Sequence, residues 1–142
     1  MFAIPLAALL TFLSLLHAYW ALGGRWGIGN TIPSINGRPA FEPSPWATWI
    51  VSGLLALAVV IVAGKAGWIP RNPRVFGLNL WALGVWGLAL VFLLRAIGDC
   101  RLFGAFKTVT GTRFADWDTR LYTPLCLALA LLAASLAATS ND

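Results

Sequence analysis

His17 is the only histidine in the chain, and it interrupts a long apolar run. An ionisable side chain within such a run is a functional candidate by default. At helical spacing it shares a face with Trp20 and Gly24. Its imidazole would act as a general acid or base if Asp99 or Asp118 oriented it. Alternatively it sits neutral, hydrogen-bonded to a neighbouring helix. One histidine cannot ligate a haem from both sides. Arg95 and Asp99 stand four residues apart, so they can meet on one helix face. An inward Arg95 would bind an anionic headgroup or carboxylate, steadied by Asp99; an outward one would snorkel to the interface. The stretch Arg113-Phe114-Ala115-Asp116-Trp117-Asp118-Thr119-Arg120 follows a candidate N-cap, Thr112. On a helix, Asp116 would face Arg113 and Arg120, leaving Asp118 for Arg95 or Arg101. Asp99, Asp116, Asp118 and His17 could together suit a hard cation. Their spacing matches no ligand motif, however, and the basic residues nearby would repel a cation. A buried ion-pair network is therefore expected, with no metal and no resident cofactor. Cys100 and Cys126 are the only cysteines and form no Cys-x-x-Cys. A disulfide is geometrically allowed, but two buried apolar thiols are the preferred reading.

These residues sit in an unusually apolar chain. Of 142 residues, 59% are hydrophobic and 11% charged, against roughly 25% charged in a soluble domain. Mean hydropathy is +0.79. A soluble chain this small could not hide that much apolar surface. Composition thus excludes an ordinary soluble enzyme. The net charge of +5 is spread over short connections, which fits membrane flanks and not nucleic-acid binding.

Four apolar runs are long enough to cross a bilayer: residues 2–22, 46–63, 75–95 and 121–138. Lipid offers no partner to backbone N–H and C=O groups, so the runs should be helices. The expected fold is all-α, a four-transmembrane-helix bundle forming one integral membrane domain over residues 1–142. The first run has no preceding Lys or Arg and no A-x-A site after it, so it reads as a span and not a signal peptide.

The first and third connections must share one face, and the second connection and both termini the other. The first face carries Arg25, Arg38, Arg101, Lys107, Arg113 and Arg120; the second carries Lys65, Arg71 and Arg74. The positive-inside rule then favours a cytoplasmic first face and outward termini. Trp20, Trp26, Trp46, Trp49 and Trp117 lie near the first face as an aromatic belt. The third connection mixes charge with Phe103, Phe106 and Phe114. It should lie in the interface or fold back over the bundle. Gly23 and Gly24 should end the first helix, and Pro43-Ser44-Pro45 should open the second. Ala130, Ala134 and Ala138 form a small-residue stripe, as do Gly77 and Gly84 with Gly87 nearby. Such stripes suit helix packing within the bundle or in a homo-oligomer. The two hairpins share a layout that would fit a parallel repeat.

His17-Ala18-Tyr19-Trp20-Ala21-Leu22-Gly23-Gly24, Arg95-Ala96-Ile97-Gly98-Asp99, and Phe114-Ala115-Asp116-Trp117-Asp118-Thr119 with Pro124-Leu125-Cys126 are distinctive in combination. They resemble the domain-of-unknown-function family 3995, small bacterial integral membrane proteins. The resemblance runs from Phe2 to about Ala138. It implies four spans and a bacterial inner-membrane location, and no activity.

The combined expectation is a polar, aromatic-rimmed site at the first face, built from His17, Trp20, Arg95, Asp99, Arg101, Asp116, Asp118 and Arg120. It would bind a lipid-like or quinone-like small molecule, or a membrane protein partner. The alternatives are a small membrane enzyme, with His17, Asp99 and Asp118 as catalytic candidates, and a transporter subunit.

Overall fold

The apolar runs fold as helices because only helices satisfy every backbone group within the segment. A computed structural model describes residues 1–35, 38–70 and 73–139; Arg71 lies outside them. The long helices are α1 (Ala3–Ala21), α2 (Pro45–Lys65) and α3 (Leu80–Ile97). A fourth is built from α4 (Arg113–Trp117), a π-helical turn (Asp118–Tyr122) and α5 (Thr123–Ala138). All four are long and apolar enough to cross a membrane. Two-residue strands form two small hairpins: β1 (Ser34–Ile35) with β2 (Arg38–Pro39), and β3 (Arg74–Val75) with β4 (Leu78–Asn79), both antiparallel.

Local chemistry sets the helix ends. Ser44 caps α2 by accepting from the N–H of Ala47 at 3.2 Å, with Pro45 behind it. Asn79 caps α3 through the N–H groups of Trp81 and Ala82. Thr112 caps α4 through Ala115 at 3.1 Å. α1 closes with Gly24 N–H on Tyr19 and Gly23 N–H on Trp20 carbonyls, a Schellman motif with Gly23 left-handed.

Two boundaries differ from the apolar runs. α3 begins at Leu80, not residue 75, because residues 74–79 turn back through Phe76 (φ 51°) and Gly77 (φ 79°). Two consecutive left-handed residues make a tight hairpin turn that a helix cannot continue. The last helix begins at Arg113, well before residue 121, once Thr112 supplies its cap.

The helices pack as two hairpins, α1 along α2 and α3 along α5, joined by α2–α3 and α1–α5 contacts. Leu6, Leu10, Val62, Val85 and Leu129 are fully buried at the centre. Ser14 and Ser52 exchange hydrogen bonds across α1 and α2: each hydroxyl donates to the other's carbonyl at 2.9 Å. Reciprocal serine pairs of this kind hold helices together where lipid removes the hydrophobic drive. A Cβ on Gly84 would stand 2.6 Å from Ile61 Cγ2, and one on Gly64 would overlap the Trp81 indole. On α5 the buried small residues are Ala130, Ala133 and Ala137, not Ala130, Ala134 and Ala138. A straight i+4 row drifts off a 3.6-residue helix face, whereas alternating steps of three and four follow it.

The first and third connections meet at one end, where the Tyr122 hydroxyl donates to the Asn30 carbonyl at 3.3 Å. At the other end Met1, Phe2, Lys65, Trp68 and Thr139 border a common hollow. There the Lys65 ammonium donates to the Thr139 carbonyl at 2.6 Å.

Candidate functional site

Two polar centres occupy the end shared by the first and third connections. The first is a clasp around Asp118, whose side chain is 0% exposed at the start of the π turn. Asp118 Oδ1 accepts from Arg95 Nη2 at 2.9 Å. Its Oδ2 accepts from Gly104 N–H at 2.8 Å, Lys107 Nζ at 3.1 Å and Thr123 Oγ1 at 3.2 Å. Oδ2 thus takes three donors and Oδ1 one, on a group with about four lone-pair sites. Arg95 also stacks its guanidinium carbon 4.5 Å from the Phe103 ring centroid, a cation–π contact. Lys107 gives a further bond to the Gly104 carbonyl at 3.1 Å. Its side chain is 7% exposed and that of Arg95 31%. Arg95 Nη1 is buried with no hydrogen-bond partner among the described residues.

The clasp works because the third connection folds back onto α3. The N–H groups of Ala105 and Phe106 donate to the Ala96 and Ile97 carbonyls. Gly98 and Gly104 cross backbone to backbone: a Cβ on Gly98 would overlap the Phe103 carbonyl, and one on Gly104 the Gly98 backbone. Both also hold φ +90°, where glycine alone is unstrained. Asp99 does not pair with Arg95. Its Oδ1 accepts from the N–H groups of Arg101, Leu102 and Phe103 at 2.9, 2.7 and 3.1 Å. Burial pushes the Asp99 carboxyl upward, but the Phe103, Arg101 and Leu102 amides outweigh it and hold it below the ordinary carboxylate value. Cys100 sits left-handed in this turn (φ 62°) and is exposed, so it is not the buried thiol expected. Cys126 is partly buried, and both thiols are free.

The second centre is a cavity of about 440 Å³ between the ends of α1 and α2 and the first connection. Its walls include His17, Trp20, Ile28, Thr31, Phe41, Glu42, Thr48 and Val51. His17 Nδ1 lies 2.8 Å from the Leu13 carbonyl oxygen. A carbonyl only accepts, so Nδ1 carries a proton, and in the tautomer protonated there alone Nε2 is an acceptor. Nε2 has no hydrogen-bond partner among the described residues. Trp20 meets the imidazole edge-on, ring centroids 5.1 Å apart. The Trp20 indole N–H donates to the Trp26 carbonyl at 2.8 Å, pinning the connection over α1.

The expected site residues thus separate. His17 and Trp20 line the cavity, and Arg95 and Asp118 meet in the clasp. Asp99 shapes the turn between them in sequence. Arg101, Asp116 and Arg120 are exposed and form no ion pair among the described residues. The π turn beginning at Asp118 widens the helix between Asp116 and Arg120 and breaks their i, i+4 alignment. Lys107 and the Gly98–Gly104 crossing were not foreseen as parts of the clasp. Their signal was two glycines flanking an aromatic, basic loop. Among the described residues, no three His, Cys, Asp or Glu side chains gather in a way that could hold a metal ion.

Four packed apolar helices with polar centres at one end define a multi-pass membrane protein of the helix-bundle class. Within that class, residues 10–133 match the family described as "Protein of unknown function (DUF3995)". The chain belongs to that family. No curated protein and no solved structure matches it.

Proposed function

We propose that this is a bacterial inner-membrane protein that holds a lipid-like small molecule in the cavity beside His17. The carrying observation is the cavity itself: about 440 Å³, walled by Trp20, Ile28, Phe41 and Val51, with His17 set among them. Small-molecule sites are mostly apolar concavities of roughly 300–1,000 Å³ with a few polar groups. Its place at the ends of α1 and α2 supports a binding site near headgroup depth, within reach of an amphiphile in the bilayer. The excess of Lys and Arg on the same end favours a cytoplasmic placement. The clasp supports this reading because its carboxylate is engaged by its own chain and sealed from solvent, although Arg95 Nη1 is left without a partner among the described residues. Asp118 accepts four donors from its own chain, whereas His17 Nε2 has no hydrogen-bond partner among the described residues.

The uncommitted Nε2 also supports a second reading, a membrane enzyme with His17 as proton acceptor. In that case the Leu13 carbonyl, and neither Asp99 nor Asp118, orients the ring.

Native mass spectrometry from mild detergent tests the first reading, with an Ala47→Trp variant alongside. Ala47 lines the cavity and is exposed, so an indole there should fill the space without disturbing the core. An extra mass on the wild type, lost in Ala47→Trp, is expected. The same adducts on both proteins would overturn the reading.

A further inference from the structure

The hydrogen-bond balance of this cavity selects the kind of head its occupant carries. His17 Nδ1 donates to Leu13, leaving Nε2 as an acceptor. The Thr31 hydroxyl donates to the Ile28 carbonyl at 2.8 Å, and the Thr48 hydroxyl to the Ser44 carbonyl at 3.1 Å. Each threonine oxygen therefore offers lone pairs only. The Trp20 indole N–H, the natural donor of the wall, is engaged by Trp26. Glu42 adds a carboxylate, which accepts only and brings negative charge. Of the described side chains lining the space, Ser44 alone keeps an uncommitted proton. A wall of acceptors with one anion repels carboxylate, phosphate and quinone oxygens. It welcomes N–H and O–H donors, and a cation most of all.

Resting on the reading of this cavity as a binding site, we infer that it takes an amphiphile whose head is a hydrogen-bond donor, with a primary ammonium preferred. His17 Nε2 and the two threonine oxygens are the acceptors the wall offers to the N–H groups of such a head. Glu42 neutralises its charge, and the alkyl chain lies along Val51 and Phe41. The apolar and aromatic wall suits the methylenes next to the nitrogen, with Trp20 available as a cation–π face.

Four probes of matched chain length decide it: dodecylamine, dodecanol, dodecanoate and a dodecyl-substituted benzoquinone. Binding of each is measured by native mass spectrometry and thermal shift, on the wild type and on Ala47→Trp. Only the part of binding that Ala47→Trp removes is counted. Dodecylamine should bind tightest, dodecanol next, and dodecanoate and the quinone at least tenfold more weakly. Glu42→Gln changes an exposed residue. It should weaken the amine by about two- to fivefold, the scale of an exposed ion pair, and leave the alcohol unchanged. Binding of dodecanoate or quinone as tight as the amine, and lost in Ala47→Trp, would overturn the donor-head inference while sustaining the cavity. No Ala47→Trp-sensitive binding of any probe would overturn both.

Discussion

Asp118 and His17 are buried or half-buried polar residues at the same end of one bundle, and the sequence offers them as equivalent candidates. Their surroundings make them opposites. Asp118 receives donors from α3, the third connection and α5, and is sealed from solvent. Among the described residues His17 is hydrogen-bonded only to its own helix, one turn back, and it lines a cavity. A polar group saturated by its own chain holds structure together; one left with uncommitted capacity beside an open space is available to a ligand. The clasp is the more charged centre, but its carboxylate is engaged by four donors of its own chain and sealed from solvent, and what it leaves unpartnered among the described residues is the buried Arg95 Nη1.

The largest expected effect tests the structural half of this contrast. Asp118→Asn leaves Arg95 and Lys107 facing each other without a counter-charge. Breaking a buried ion pair from one side typically costs about 3–5 kcal/mol. Unfolding in mixed micelles should show a loss of that order. The triple replacement Arg95→Met, Lys107→Met, Asp118→Leu removes all three charges together and should recover part of it, the Gly104 N–H and Thr123 hydroxyl still losing their acceptor. If the triple variant folds well yet loses the bound small molecule, the clasp also serves the ligand and the contrast breaks.

A smaller effect is expected at the glycine crossing. Gly104→Ala would press a methyl group into the Gly98 backbone at φ +90°. Overpacking of this kind costs about 1–3 kcal/mol. Faster deuterium uptake should be confined to residues 99–112. Equal uptake along the first connection would show that the two regions are mechanically one unit.

How much of this could be read from the sequence follows the range of the interactions. The four helices were legible because a long apolar run can fold in only one way in lipid. The Thr112 cap and the glycine end of α1 were legible because capping is local. The start of α3 was not, because Val75, Phe76 and Leu78 are apolar enough to read as helix while their backbone turns at Phe76-Gly77. In the third connection, the availability of Asp118 for Arg95 followed from helix geometry. Lys107 and the Gly98–Gly104 contact depend on how the loop folds back over α3, which no periodicity encodes. The His17 cavity was only half legible. His17 and Trp20 stand out as residues in a span, but Thr31, Phe41 and Glu42 reach them through a connection without a regular repeat.

His17→Ala should cost little stability. The imidazole's one hydrogen bond is to its own helix, and a typical net hydrogen-bond contribution is about 1 kcal/mol. Micellar unfolding should therefore place this variant within about 1 kcal/mol of wild type, far from Asp118→Asn. A loss comparable to Asp118→Asn would mean that His17 is a structural residue, and the distinction between the two centres would fall.

The smallest effect is a titration, and it separates the turn that carries the clasp from the clasp itself. Asp99 has a carboxyl held below its ordinary value of 3.8 when folded. A group depressed in this way contributes stability that is fully present above the unfolded value. That contribution fades as pH falls through the folded value. Near neutrality the turn is therefore intact, and only below about pH 4 should it loosen. The N–H resonances of Arg101, Leu102 and Phe103 report the change directly, because all three donate to the same oxygen. They should move together with one midpoint below 3.8, and none should titrate in Asp99→Ala. Gly104 N–H donates to Asp118 instead and should hold its position while the Asp99 amides shift. Should Gly104 move with them, and stop moving in Asp99→Ala, the turn and the clasp would be one cooperative element. The third connection would then open as a whole.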